Sequence, residues 1–332
     1  MSANPMPHLV LAFARCASDA WLPAMRALPE GGLRHLGKLL QGMKLVQTDA
    51  GDAHSLSTPH ERVLALAHGI VGLDVVDGLI PWAAQQAAFN AATASLAGKA
   101  WAYITPCHWA MGREHATLTD PAALRLGHDD MHTLMLAMQP YFETEGITLY
   151  APGAAQTTHW LAEGEVFRHL PTASLDRVLG RNVDKWLPAS RAIKLLQNEM
   201  QMLLYTHPLN DARSARQLPT VNSFWLSGTG ALSQPVAAIV TTASLGGSLV
   251  EPRNLAQAVF ADDWSAYANA WQTLDANDIA AWLTRQSAGE KLKLTLCSES
   301  TAETFEHAEN GFFAKLKSVL SPRSALNLLE QL

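Results

Sequence analysis

The sequence predicts an α/β fold in which both chain ends build one core, interrupted by an inserted α+β domain. Three observations predict it. A strand-like apolar run followed by helical periodicity opens the chain, strand-helix alternation returns near its carboxyl end, and the stretch between them is made of short extended pieces and long connections. The core is expected over 1–96 plus 233–332 and the insert over 97–232, within a length of 332 residues that can bury two sizeable cores.

The elements follow in order. Leu9 to Ala14 is an apolar run of strand length, and Ala17 to Leu28 and Leu33 to Gln41 carry helical spacing. Thr58-Pro59-His60-Glu61 sets a hydroxyl at the N-cap, proline at the first helical position and a carboxylate at the third, a capping box for a helix to about His68. Leu79 to Leu96, rich in Ala and Gln, reads as one long helix. Trp101 to Thr105 and Ala116 to Thr119 read as strands around a loop, and Asp120-Pro121 opens a helical stretch. Ile147 to Tyr150 and Thr158 to Leu161 are extended, and the helix Ala189 to Tyr205 follows a basic segment. After Thr206-His207-Pro208 a loop is expected, then a strand from Val221 to Trp225 and a glycine-rich loop, Ser227-Gly228-Thr229-Gly230. A strand at Ala237 to Thr242, a helix at Asp278 to Arg285, a strand at Lys291 to Cys297 and a helix at Ala302 to Leu320 restore the alternation.

Composition narrows the function classes. With 48% hydrophobic and 16% charged residues the chain is globular rather than disordered. A net charge of -6 argues against a dedicated nucleic-acid surface, which needs excess Lys and Arg to displace counterions. Cys16, Cys107 and Cys297 lie far apart with no CxxC pair, so a reduced cytoplasmic setting is expected rather than a disulfide framework or zinc ribbon. No stretch reaches about 18 apolar residues and no basic leader precedes the first apolar run, so neither membrane insertion nor export is expected.

Candidate chemistry is densest between Gln197 and Gly230. His207, Asn210, Arg213 and Asn222 are residue types that hydrogen-bond phosphate or carboxylate oxygens, arginine in bidentate fashion. Helix capping at His207-Pro208 beside a solvated loop is the competing reading. Arg168, Arg177 and Arg181 belong to a basic segment that could line an anion pocket, with Asp176 and Asp184 orienting it, or form an ordinary solvated face. His128-Asp129-Asp130-Met131-His132 has imidazoles at metal-ligating helical spacing, although an Asp-rich first turn explains it as well. Cys107 with His108 and His115 could form a thiol-imidazole pair, against which stands the position of the thiol at the end of an apolar strand. His60-Glu61 lacks the second histidine of an HExxH motif because Leu64 stands there, and Ser227-Gly228-Thr229-Gly230 is neither a P-loop nor a nucleophile elbow.

His207-Pro208-Leu209-Asn210, Arg213, Pro219-Thr220-Val221-Asn222, Trp225 and Gly228-Thr229-Gly230 together resemble a stretch of the archaeal-type cofactor-independent phosphoglycerate mutases. Gly164 to Arg168, Ala173 to Val178 and Asn182 to Lys185 look like the arginine-containing segments that precede it, so the resemblance spans about residues 150 to 232. It implies an alkaline-phosphatase-like core with an inserted substrate-gripping domain, and a pocket for a phosphorylated small acid at Arg168, Arg177, Asn210, Arg213 and Asn222; with Arg181 and His207 from the residue reading, these are the expected contacts of a small phosphorylated or carboxylated metabolite. The whole chain looks closest to the bacterial Rpf-type regulatory proteins.

The core departs from the family pattern. Leu11-Ala12-Phe13-Ala14-Arg15 has no carboxylate where the family carries a metal-binding Asp-Gly, and Ser298-Glu299 stands where an Asp-His pair is expected. Ser57 and Thr58 are the candidates nearest to a nucleophile position. The reading is therefore a degenerate mutase-like regulatory or binding protein, with no cofactor expected and no nucleic-acid or membrane partner. One alternative is an active metal-dependent phosphoglycerate mutase or phosphohydrolase, with Mn or Mg held by Asp52, His54, His60 and Glu61. The other is a scaffold for a protein partner.

Overall fold

The structure, a computed structural model, describes residues 6–72, 75–90, 93–96, 98–151, 158–233, 248–308 and 324–332. Two compact units divide the chain: Met1–His54 with Pro59–Leu64 and Thr241–Leu332, and Ser55–Thr58 with Ala65–Val240. Residues 65–96, placed with the core from sequence, fall in the second unit. The described strands are β1 (His8–Leu11), β2 (Met43–Ala50), β3 (Trp101–Cys107), β4 (Trp109–Met111), β5 (Ala116–Leu118), β6 (Thr148–Tyr150), β7 (Trp160–Glu163), β8 (Ser223–Gly230), β9 (Leu249–Val250), β10 (Lys293–Cys297) and β11 (Thr301–His307).

In the first unit the strands run in the order β2-β11-β10-β1-β9, with β1 parallel to both β9 and β10. A strand flanked by parallel neighbours is covered on both faces, so it reads as an unbroken apolar run, and all four residues of β1 are buried. Leu9, Leu11, Leu294 and Leu296 join Trp21, Leu36, Leu39, Tyr267 and Trp271 in one core. The helix Arg34–Gln41 starts on Asp275, whose carboxylate accepts from the backbone N–H groups of His35 (3.1 Å) and Leu36 (2.8 Å). Asp275 reaches that helix start from a π-helical turn, Asp275–Ile279, between Trp264–Leu274 and Ala280–Ser287.

Two elements differ from the sequence reading here. Ala302 does not begin a helix: β11 pairs antiparallel with β10 and β2, and its alternation of Ala302, Thr304 and exposed-side residues has the period of a strand. The remainder of that expected helix, and the strand expected at Ala237 to Thr242, lie outside the described residues. β2 is mostly solvated, so it carries no apolar alternation to read.

The second unit holds an antiparallel sheet, β6-β7-β3-β8, and the hairpin β4-β5. Side chains alternate across β3 and β8: Ile104, Phe224 and Leu226 enter the core built with the helices His128–Thr144 and Arg191–Tyr205, whereas Cys107 and Trp225 face Val178, Val183 and Trp186. The expected long helix from Leu79 to Leu96 is instead Trp82–Phe89 and a short 3₁₀ turn at Ala94–Leu96, separated at Asn90, whose backbone is extended. Residues Ser227 to Gly230 are the end of β8 rather than a loop, with the Thr229 hydroxyl buried and donating to the Leu170 carbonyl (2.6 Å). No described helix is long and apolar enough to cross a membrane.

Candidate functional site

Open α/β sheets place ligands beyond the carboxyl ends of their parallel strands. In the first unit a packed aromatic residue stands just after β1. Phe13, directly after β1, is buried with a left-handed backbone (φ 55°), and its ring meets Phe260 edge-on at 5.2 Å and His60 at 5.5 Å. The buried Tyr267 hydroxyl accepts from the Trp21 indole (3.0 Å) and donates to the Phe13 carbonyl (2.8 Å), which holds this turn in place. A left-handed non-glycine residue costs roughly 1–2 kcal/mol, and burial of the ring offsets it.

A divalent-ion pair needs several oxygen or imidazole ligands aimed at one point. At these strand ends Leu11, Ala12, Phe13, Ala14 and Cys297 are buried, and the Glu299 carboxylate accepts from the Ala17 N–H (2.8 Å). Burial raises the Cys297 thiol far above its usual range. Asp52 accepts from the His54 backbone N–H (2.8 Å), and among the described residues no group of three or more His, Cys, Asp or Glu is placed to hold a metal ion, so Asp52, His54, His60 and Glu61 do not form a ligand set. His128 and His132 do not form one either; His128 is exposed beside Asp129 at 3.7 Å. Among the described residues, the donors at these positions are not gathered as the metal pair implied by the resemblance requires.

The second unit opens a cleft of about 720 Å³. Its walls are the hairpin turn Gly112–His115, the end of the helix Arg191–Tyr205, and the helix Pro208–Ala215. The last of these stands where the sequence suggested a loop. His207 caps its start, Nδ1 accepting from the Leu209 N–H (3.2 Å), and Pro208 occupies the first helical position where its missing N–H costs nothing.

Two asparagines frame the cleft by imitating strand partners. Asn222 accepts from the Trp109 N–H (2.7 Å) and donates to the Trp109 carbonyl (3.0 Å). Asn210, buried, accepts from the Val221 N–H (2.9 Å) and donates to the Leu204 and Val221 carbonyls (2.7 Å each). Arg213, also buried, donates to the Pro219 carbonyl (2.8 Å), to the Leu124 carbonyl (2.5 Å) and to Asp130 (3.4 Å). These groups had been expected on a ligand; the bonds they make hold the chain to itself, so they act as latches, and Asn210 and Asn222 also line the cleft.

The remaining candidates do not line this cleft. Arg177 is buried, donates to Ser55 Oγ (3.1 Å) and the Ser57 carbonyl (3.3 Å), and stacks 5.9 Å from the Trp186 ring centre. Arg168 is engaged by Glu165 (2.9 Å) and the Gly98 carbonyl (3.2 Å). Arg181 offers its carbonyl to Leu118 (3.4 Å) and does not line the cleft. Ser57 and Thr58 are buried; Ser57 Oγ accepts from the Gly78 N–H (3.0 Å), and its backbone N–H donates to Asp77 (2.9 Å). Cys107 is fully buried, and burial raises its thiol well above the usual value, so it makes no nucleophile with His108 or His115.

Of the groups left free, Asp184 and His115 are named from sequence in other roles, whereas Arg113, Glu114 and Asp211 are not singled out there. Arg113, Glu114, His115, Asp184 and Asp211 line the cleft, are exposed, and make no side-chain hydrogen bond or ion pair with any described residue. Tyr205, at its edge, is 86% exposed.

No family model and no curated protein matches the chain. Two solved structures align with nearly all of it. The PH0037 protein of Pyrococcus horikoshii is 9% identical, with a TM-score of 0.45 over 95% of this chain and 93% of that one. The cofactor-independent phosphoglycerate mutase of Thermoplasma acidophilum is 12% identical, with a TM-score of 0.34 over 98% and 99%. Likeness at these scores bears on no individual residue and no reaction.

Proposed function

We propose that the chain is a mutase-like protein of alkaline-phosphatase-like descent that binds rather than catalyses, in a regulatory role of the Rpf type. One observation carries the reading: Phe13, ring buried and backbone left-handed, stands after β1 where the resemblance calls for a metal-binding carboxylate. Binding in this reading belongs to the cleft of the second unit, where charged groups have no side-chain partner among the described residues. Arg113 and His115 are the cleft groups that can donate to a small phosphorylated or carboxylated acid, and Glu114, Asp184 and Asp211 in the same lining oppose its charge.

The test is an assay of purified protein with 3-phosphoglycerate and manganese, alongside calorimetric titration with the same acid. The reading expects no 2-phosphoglycerate, and any acid binding to be lost in Arg113→Ala. Turnover that disappears in Ser57→Ala would overturn it.

A further inference from the structure

Of the three most exposed large apolar side chains among the described residues, two line the cleft and the third is on the helix end that forms one of its walls. Tyr205 is 86% exposed, Met111 80% and Met202 77%, while the next, Val76, is 60%. Tyr205 and Met111 line the cleft, and Met202 stands on the same helix end beside Gln201, another lining residue. Scattered apolar residues on a surface need no explanation, but the extremes of the distribution gathered around a cavity mark a contact surface. Methionine and tyrosine suit one, the first because it repacks to fit different shapes and the second because it presents area at low entropic cost.

Charge selects the partner. Glu114, Asp184 and Asp211 line the same cleft against one guanidinium, Arg113, and none of the three carboxylates has an ion-pair partner among the described residues. Exposed apolar side chains beside unpaired carboxylates complement a helix that is apolar on one face and basic on the other.

Resting on the reading of the cleft as a binding site, we propose that it docks a basic amphipathic segment of a partner protein. The apolar face of that segment would cover Met111, Met202 and Tyr205, and its lysines or arginines would meet Glu114, Asp184 and Asp211. Long basic side chains carry their charge at the end of an apolar stem, so they can cover the methionines and reach the carboxylates together.

A fluorescein-labelled amphipathic Leu/Lys peptide and its Leu/Glu counterpart test this by anisotropy on the full chain. The Leu/Lys peptide should bind saturably and the Leu/Glu peptide should not. The double variant Met202→Ser/Tyr205→Ser and the triple variant Glu114→Gln/Asp184→Asn/Asp211→Asn should each weaken binding at least about tenfold, the scale expected of interface anchors. Leu136→Ser, an exposed apolar site on another helix, should leave it unchanged. Equal binding of both peptides, or wild-type affinity in both cleft variants, would sink the proposal. Sedimentation showing a dimer that Met202→Ser/Tyr205→Ser dissolves would make a second copy the occupant and overturn it too. Binding of 3-phosphoglycerate lost in Arg113→Ala, with no peptide binding, would overturn this partner while leaving the broader binding reading intact.

Discussion

The strand ends of the first unit and the cleft of the second obey opposite rules. After β1 and β10, apolar residues are buried, the Tyr267 hydroxyl is bonded on both sides, and an aromatic ring occupies the space. At the cleft, carboxylates and a guanidinium have no partner among the described residues, and Met111 and Tyr205 beside them are left in water. Folding alone rewards the first arrangement, because buried polar groups need partners and removing apolar area from water is worth roughly 25 cal/mol per Å². The second gains nothing for the fold, and the proposed partner is the account of it that can be tested.

The largest test of that contrast is Phe13. Phe13→Ala should cost about 3–5 kcal/mol in urea unfolding, the usual penalty for emptying a packed aromatic site. Phe13→Gly should cost about 1 kcal/mol less than the alanine variant, because glycine accepts the φ of 55° without a Cβ penalty. Equal stability of wild type and Phe13→Gly would mean that this end of the sheet is not close-packed, and the comparison would break there.

Next comes Arg213, which the mutase resemblance places on a ligand and the structure places on carbonyls. Arg213→Ala should lower stability by about 2–4 kcal/mol, since it strands the Leu124 and Pro219 carbonyls and the Asp130 carboxylate. A variant of wild-type stability with lost acid binding would return Arg213 to the ligand and move the site off the unpaired groups.

What the sequence made legible was what depends on neighbours in the chain. The start of the helix Pro59–His68 and most of Arg191–Tyr205 follow from capping and periodicity. His207-Pro208 misleads because the same dipeptide that ends one helix starts another, and only the path of the chain shows His207 accepting from Leu209. The polar residues after it stood out correctly as groups in apolar surroundings that need partners. Which partners they take is not local information: Asn222 meets Trp109 and Arg213 meets Leu124 across long stretches of chain. The exposed residues of the cleft left a fainter trace. In the helix Arg191–Tyr205 the buried stripe is Ile193, Leu196, Gln197, Met200 and Leu204, so Met202 and Tyr205 are apolar residues off the stripe.

Acid should separate the regions more gently. Burial, and secondarily the charge of Lys293, lowers the pKa of His8 from 6.5 to about 3, while its Nε2 lies 2.7 Å from the Thr295 hydroxyl. The unfolded chain then takes up a proton near pH 6.5 that the folded chain refuses until about pH 3. The stability due to neutral His8 is therefore complete above pH 6.5 and falls below it by up to about 1.4 kcal/mol per pH unit. Urea midpoints measured across that window should flatten in His8→Gln; an unchanged slope would show that His8 is not held neutral.

The smallest expected effect on stability lies in the cleft. Glu114→Gln/Asp184→Asn/Asp211→Asn removes three charges that bond to no described residue, so unfolding should shift by no more than about 0.5 kcal/mol. The sign should favour the variant, because three carboxylates lining one cleft repel one another and amides do not. That sign is what makes a small number useful. If the triple variant is as stable as wild type or slightly more so, yet loses the Leu/Lys peptide, the carboxylates contribute to recognition and not to the fold. If instead it unfolds as readily as Arg213→Ala, the three groups are latches like Asn210 and Asn222, and the distinction between a region built for stability and one built for contact disappears.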